Sequence, residues 1–296
     1  MRAPAKLNLH LSVGQRRPDG FHDLTTVFQA VGLYDDVELV RAGTLSVTVT
    51  GEGRDDVPLD ETNLALRAVR LMAQHTGHEP TIQVAIRKGI PVAGGCAGGS
   101  ADAAAALVGC DALWGTGLSK GELASLGAQL GSDVPFSLHG GTALGTGRGE
   151  QLTPVLGQGS YSWVLALSEG GLSTPEVYGQ LDRQRESGPV GVVTNPADVL
   201  TALRSGDAVA LGRALGNDLQ PAALALEPSL RALLETGRDL GALGAIVSGS
   251  GPTVALLGRD EGHAVALASA LAGQGVCAAV RRADGPVAGA RVVEAH

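Results

Sequence analysis

Lysine is nearly missing from this chain: it stands only at 6, 88 and 120, and the remaining positive charge is arginine. With a net charge of −8, this excludes bulk attraction to nucleic acid or to an anionic membrane, and an anionic substrate has to be met by a local basic patch. Aromatic residues are equally scarce, with three Phe, three Tyr and two Trp in 296 residues, so an aromatic placed on a turn is informative. Cys96, Cys110 and Cys277 are odd in number and lack metal-ligand spacing, which argues against a disulfide framework or a zinc site and suits a reducing cytoplasm. No apolar run reaches membrane length and no basic-then-apolar leader opens the chain, so a soluble cytoplasmic protein is expected. A monomer or homodimer with no nucleic-acid or membrane partner fits these absences.

What is abundant is apolar residue, at 44% of the chain, and glycine, at 44 residues, about twice its usual share. The length allows one large or two medium domains. Glycine is concentrated in Pro91-Val-Ala-Gly-Gly-Cys-Ala-Gly-Gly-Ser100, which runs directly into an alanine-rich helix. Glycine lets backbone N–H groups approach an anion without a Cβ in the way, and the helix behind adds unpaired N–H groups and the positive end of its dipole. The segment therefore reads as a phosphate cradle. It has neither the Gly-Lys-Ser/Thr of a P-loop nor a G-x-G-x-x-G register.

Alternation of Ala5, Leu7, Leu9, Leu11 and Val13 with Lys6, Asn8, His10 and Ser12 predicts a strand with one buried face; Lys6 and Asn8 share the other face, whose ordinary fate is solvation and whose alternative is a site. Strands are expected at 25–29, 37–40, 45–50 and 81–88, with helices capped at Thr62 or Asn63, from Ser100 to about Trp114, and from a Ser119/Glu122 capping box to about Leu130. Gly131 to Pro135 reads as a tight loop, with Asp133 as a capping residue on local sequence alone, and 142–149 as a strand pair or bulge. After a boundary at Gly157–Ser160 the pattern restarts: a strand at 163–167, a helix capped at Thr174, helices at 196–204, 207–215, 227–238 and 261–272, and strands at 245–247, 254–257, 276–281 and 290–294. That order implies helices layered on a sheet.

Three polar motifs interrupt these elements: Pro4-Ala-Lys-Leu-Asn-Leu9, the glycine loop, and Ser248-Gly-Ser-Gly-Pro-Thr253. In this order they resemble the galactokinase, homoserine kinase, mevalonate kinase and phosphomevalonate kinase (GHMP) superfamily. Pro18-Asp-Gly-Phe-His22 and Gly131-Ser-Asp-Val-Pro-Phe136 resemble those members whose acceptor is a cytidyl diphosphate sugar alcohol. The resemblance implies an α+β, two-domain GHMP kinase fold. An N-terminal α/β, ATP-binding domain would span 1–156 and a C-terminal domain of helices on an antiparallel sheet 157–296, with the active site in the cleft between them. It also implies ATP with Mg²⁺, and transfer of phosphate to a small-molecule alcohol.

By the same resemblance Lys6 and Asp133 form the catalytic pair. Asn63 and Lys88 lie near the adenine or its ribose, while Pro91, Gly94, Gly95, Ala97, Gly98, Gly99 and Ser100 wrap the phosphates. Asn8, with Gly249, Ser250, Gly251 and Thr253, holds the acceptor and its diphosphate, and Phe21, His22 and Tyr178 hold the cytosine. A pocket of two rings and an imidazole is a physically sensible pyrimidine site. The loop departs from the commoner pattern in Ala93 and Ala97, which constrain φ where glycine would not. No Mg²⁺ carboxylate is identified by sequence, Asp102 being one option. The alternatives are a homoserine- or mevalonate-type kinase, which has no need of a base sandwich, and an inactive ligand-sensing relative, which would not need both Lys6 and Asp133.

Overall fold

The computed structural model describes residues 1–92, 94–168, 170–188 and 195–293; the expectation for Ala93 and the end of the strand at 290–294 fall outside them. Strand β1 (Arg2–Arg16) pairs antiparallel with β2 (His22–Arg41), a 20-residue strand. The outer half of β2 continues the sheet through β4 (Ile82–Lys88) to β3 (Ser46–Gly51), while its inner half pairs with β5 (Thr142–Thr146), which turns into β6 (Gln151–Pro154). Helices α1 (Leu64–Thr76), α2 (Gly98–Trp114), α3 (Lys120–Leu130) and α4 (Val134–His139) accompany this sheet. The capping box of α3 forms as expected.

Helix α2 is small-sided and shows no single apolar stripe, because most of its residues from Ala101 to Cys110 are buried. A Cβ on Gly109 would stand 2.8 Å from Leu39 Cδ1, so only a run of Ala and Gly allows the helix to lie this close to the sheet. The polar face of β1 is not solvated. Lys6, Asn8 and His10 are all buried, because β1 is covered on both faces and its polar face looks into the site described below.

Beyond residue 160 a second, antiparallel sheet has the order β11 (Ala279–Gly285), β7 (Tyr161–Leu167), β10 (Val254–Leu257), β9 (Gly244–Val247). Trp163 and Leu165 of β7 join the cluster containing β1, and Val164 and Ala166 join a second cluster under the helices. Such two-sided burial explains an uninterrupted apolar strand. Those helices include α5 (Thr174–Glu186), α8 (Gln220–Leu226), α9 (Ser229–Asp239) and α10 (Glu261–Gln274), with α6 (Pro196–Ser205) and α7 (Ala208–Ala214) preceding a two-residue strand β8 (Gly216–Asn217). Strand β8 pairs parallel with β1 and so belongs to the first sheet.

Several expectations are corrected. Helix α8 is short and opens on Gln220-Pro221 after a strand of two residues, and no periodic signal marks it. Helix α5 has Ser173, not Thr174, as its N-cap, and Thr174 Oγ1 instead lies 2.9 Å from Ser250 Oγ. Helix α2 starts two residues before Ser100. The segment read as a loop at 131–135 already enters α4 at Val134. The strand expected at 276–281 lies at 279–285, and at 290–293 there is only a bridge between Arg291 and Arg2. Asn63 spends its amide on its own helix, accepting from the N–H groups of Ala65 and Leu66 and donating to the Pro58 carbonyl.

Candidate active site

Two cavities meet between the glycine loop, β1, α4 and the start of α5. The first, of about 450 Å³, is lined by Lys6, Asn8, Lys88, Pro91, Gly94, Gly95, Ala97, Gly98, Gly99, Asp102, Asp133, Tyr178, Gly249, Ser250 and Gly251, among others. The second, of about 610 Å³, is lined by Phe21, His22, Tyr178 and Asp182 among others. Of the residues singled out by sequence, Asn63 and Ser100 line neither, and Thr253 lines a separate cleft of about 200 Å³ with Gly94.

At the floor of the first cavity Lys6 Nζ donates to Asn8 Oδ1 at 2.6 Å, and Asn8 Nδ2 donates to Thr26 Oγ1 at 2.8 Å. One amide hydrogen of Asn8 is left for another partner. Lys6 Nζ lies 3.7 Å from Asp133 Oδ2. Asp133 occupies the N-cap position of α4, yet its side chain makes no capping hydrogen bond. The capping role suggested by local sequence is therefore unfilled, and the carboxylate faces the ammonium instead.

The glycine loop is bound into this floor. Lys6 N–H donates to the Cys96 carbonyl, and Ser248 Oγ donates to the Gly95 carbonyl. A Cβ on Gly95, whose φ is +72°, would stand 2.2 Å from the Ser248 carbonyl oxygen. Gly95 is thus required by the approach of the second glycine turn. Ala97, at φ 59°, is the sole non-glycine residue with positive φ among the described residues and is the N-cap of α2. Asn217 fixes the second turn by donating to the carbonyls of Val247 and Gly249.

Beneath the loop lies a charge cluster that sequence reasoning saw only in part. Lys88 Nζ contacts Asp35 and donates to Asp102 Oδ2 at 2.7 Å, all three side chains being buried. Asp35 also accepts from the N–H groups of Gly89 and Ile90, so it shapes the chain leading into the loop. Burial drives the Asp102 carboxyl up to about 7 against the pull of Lys88. Burial opposes the charge of Lys88, but its two carboxylate partners outweigh it and raise its pKa. Asp102 Oδ1 has no hydrogen-bond partner among the described residues.

In the second cavity the His22 and Tyr178 rings lie 5.1 Å apart, and His22 Nε2 lies 2.9 Å from Asp182 Oδ1. The carboxylate accepts from Nε2–H and so orients the ring. Burial, then the Asp133 charge, keeps the Tyr178 phenol protonated far above neutrality. Phe21 is 52% exposed, its ring covered on one side by Arg148, whose Cζ lies 5.1 Å from the ring centre. Asp182 and Arg148 were missed by sequence: one lies two turns into a helix read only at its start, the other in a glycine-rich turn read only for its backbone.

Residues 63–141 match the GHMP kinases N terminal domain and residues 199–277 the GHMP kinases C terminal domain. A 4-diphosphocytidyl-2-C-methyl-D-erythritol kinase of Nocardia farcinica is 56% identical, over 99% of this chain and 96% of its own length. The enzyme of that name from Mycolicibacterium gilvum is also 56% identical, over 100% of this chain and 92% of its own. A crystal structure of a 4-(cytidine 5'-diphospho)-2C-methyl-D-erythritol kinase superposes with a TM-score of 0.77 at 31% identity, covering 96% of this chain and 98% of that one. The L. major mevalonate kinase reaches the same TM-score at 17% identity, covering 98% of this chain and 96% of that one, a likeness of fold alone. The two family domains, the full-length identity and the cavities together place this chain among the GHMP kinases, and within them in the 4-diphosphocytidyl-2-C-methyl-D-erythritol kinase family of ATP-dependent small-molecule kinases.

Proposed function

We propose that the chain transfers the γ-phosphoryl group of ATP to the 2-hydroxyl of 4-diphosphocytidyl-2-C-methyl-D-erythritol, in the non-mevalonate route to isoprenoid precursors, with Lys6 and Asp133 as its catalytic residues. The observation that carries the assignment of the pair is the Asp133 carboxylate, unused as a helix cap and 3.7 Å from Lys6 Nζ on the floor of the loop-lined cavity. Asp133 accepts or orients the proton of the attacking hydroxyl. Lys6, steadied by Asn8, pairs with Asp133 and faces the charge on the phosphoryl group in flight. Backbone N–H groups at 94–99 and the N-terminus of α2 cradle the ATP phosphates, with Lys88 and Asp35 holding the strand end that feeds the loop.

Mg²⁺ usually binds one or two carboxylates together with substrate phosphates, and the buried, unpartnered Oδ1 of Asp102 beside the loop fits that use. When bound, the ion neutralises phosphate charge. The acceptor's cytosine lies in the second cavity against Phe21, His22 and Tyr178, with Nδ1 of His22 accepting from the exocyclic amine. Uracil offers a carbonyl oxygen there and is disfavoured. We assign 1–156 to an ATP-binding domain and 157–296 to a C-terminal domain, supported by a second sheet built wholly from residues after 160; β8 is the exception, crossing into the first sheet. The unpaired cysteines suit a cytoplasmic enzyme.

ADP release should be followed with the cytidyl substrate and with methylerythritol phosphate lacking the nucleotide. Turnover of the first alone supports the proposal. Similar kcat/KM for both would leave only a general alcohol kinase.

A further inference from the structure

We propose that Arg148 is a specificity-determining residue that binds the acceptor's diphosphate at the neck between the two cavities; this rests on the cytidyl diphosphate acceptor proposed above. The two cavities share Leu24, Ser132, Arg148, Thr174 and Tyr178. A molecule with its base in one cavity and its hydroxyl at Lys6 and Asp133 in the other passes its linking group through this neck. That group is a diphosphate, and Arg148 is the cation among the five.

The backbone holds Arg148 there. It sits in the turn between β5 and β6, which Gly147 (φ 70°) and Gly149 (φ 102°) allow to close, with Gly149 N–H donating to the Thr146 carbonyl. Leu24 N–H donates to the Gly147 carbonyl at 2.7 Å, tying the turn to β2. A Cβ on Gly145 would stand 2.9 Å from Phe28 Cε2, so the hairpin lies flush on the ring that also packs near Lys6.

The side chain is available as well as placed. Glu150 accepts from the backbone N–H of Arg148, and the Arg148 guanidinium makes no ion pair with a carboxylate among the described residues, in contrast to Arg2, Arg17, Arg185 and Arg281. It rests over the Phe21 ring. A guanidinium held over an aromatic face and not paired with a carboxylate keeps its donors free for bidentate phosphate recognition. The second glycine turn offers a diphosphate only neutral groups, and Lys6 faces the reacting centre. Arg148 supplies the missing charge, and its contact with Phe21 makes one surface serve base and diphosphate together.

Calorimetric titration of the full chain, its glycine loop saturated with a non-hydrolysable ATP analogue, with CDP, CMP and cytidine tests this. Arg148→Ala should weaken CDP about 10- to 100-fold, in the range of hydrogen bonds to charged groups, and leave cytidine within about 2-fold. Arg148→Lys should recover part of the CDP affinity, since it restores charge without the fork. Melting curves confirm that both variants fold. If wild type prefers CDP to cytidine and Arg148→Ala keeps that preference, or if the variant weakens both ligands equally, the assignment falls while the cytidyl acceptor stands. A wild type that binds no cytidine nucleotide overturns the acceptor assignment and this one with it.

Discussion

Asp133→Asn separates chemistry from architecture at the candidate centre. The substitution keeps the shape of the side chain and removes its charge and basicity. Lys6 Nζ and Asp133 Oδ2 are 3.7 Å apart, with side-chain exposures of 7% and 30%. Unit charges at that separation attract by about 4 kcal/mol at an effective dielectric constant of ~20, and the open side of Asp133 lowers the coupling to about 1–4 kcal/mol. Losing a positioned acid–base group costs about 10²- to 10⁴-fold in kcat. The expected result is a fall of that size in ADP release, with both KM values within about 3-fold of wild type. Asp133 makes no capping hydrogen bond, so any fall in melting temperature should be no more than the few degrees that losing the ion pair allows. Lys6→Ala should be comparably severe, and the double variant should lose much less than the sum, by an amount equal to the coupling. A kcat within tenfold of wild type would return Asp133 to a structural role.

The loop gives opposite outcomes at neighbouring positions: Gly95→Ala places a Cβ 2.2 Å from the Ser248 carbonyl at φ +72° and should destabilise the chain by about 3 kcal/mol or more, whereas Ala97→Gly relieves a left-handed alanine and should stabilise it by up to about 1 kcal/mol, both read from denaturant midpoints. His10 is fully buried with neither ring nitrogen hydrogen-bonded among the described residues, and burial lowers its pKa against the pull of Asp218. The unfolded chain then takes up this proton near pH 6.5 and the folded one only below it, so stability is full above pH 6.5 and falls as pH drops. His10→Phe should flatten that slope, and an unchanged slope would show that His10 is not its source.

Sequence made the element types and the main polar motifs legible where period and capping chemistry were strong, as in β1, the capping box at Ser119 and the run into α2. It failed where neighbours decide. Whether the polar face of β1 meets water or a site depends on what packs over it, and alternation is the same in both cases. The length of β2 was hidden because its two halves serve different partners. Asn63 was placed at a ligand by family resemblance, while its local chemistry as an N-cap consumes the side chain. Asp35, Asp182 and Arg148 carry no local signature, since each gains its meaning from a partner far along the chain.

Arg2 and Arg291 exchange both backbone hydrogen bonds, and β1 is flanked by β8 from more than 200 positions downstream. At translation rates of about 5–20 residues per second, residue 291 follows residue 2 by on the order of 15–60 s. Until β8 is made, the strand bearing Lys6 has β2 on one side and no strand on the other. Contacts this distant in sequence slow folding, and here they also time it. The chain cannot assemble its phosphate cradle, whose floor needs both Cys96 and Ser248, until nearly all of it has been synthesised, so a stalled nascent chain carries Lys6 and Asp133 without a completed site around them.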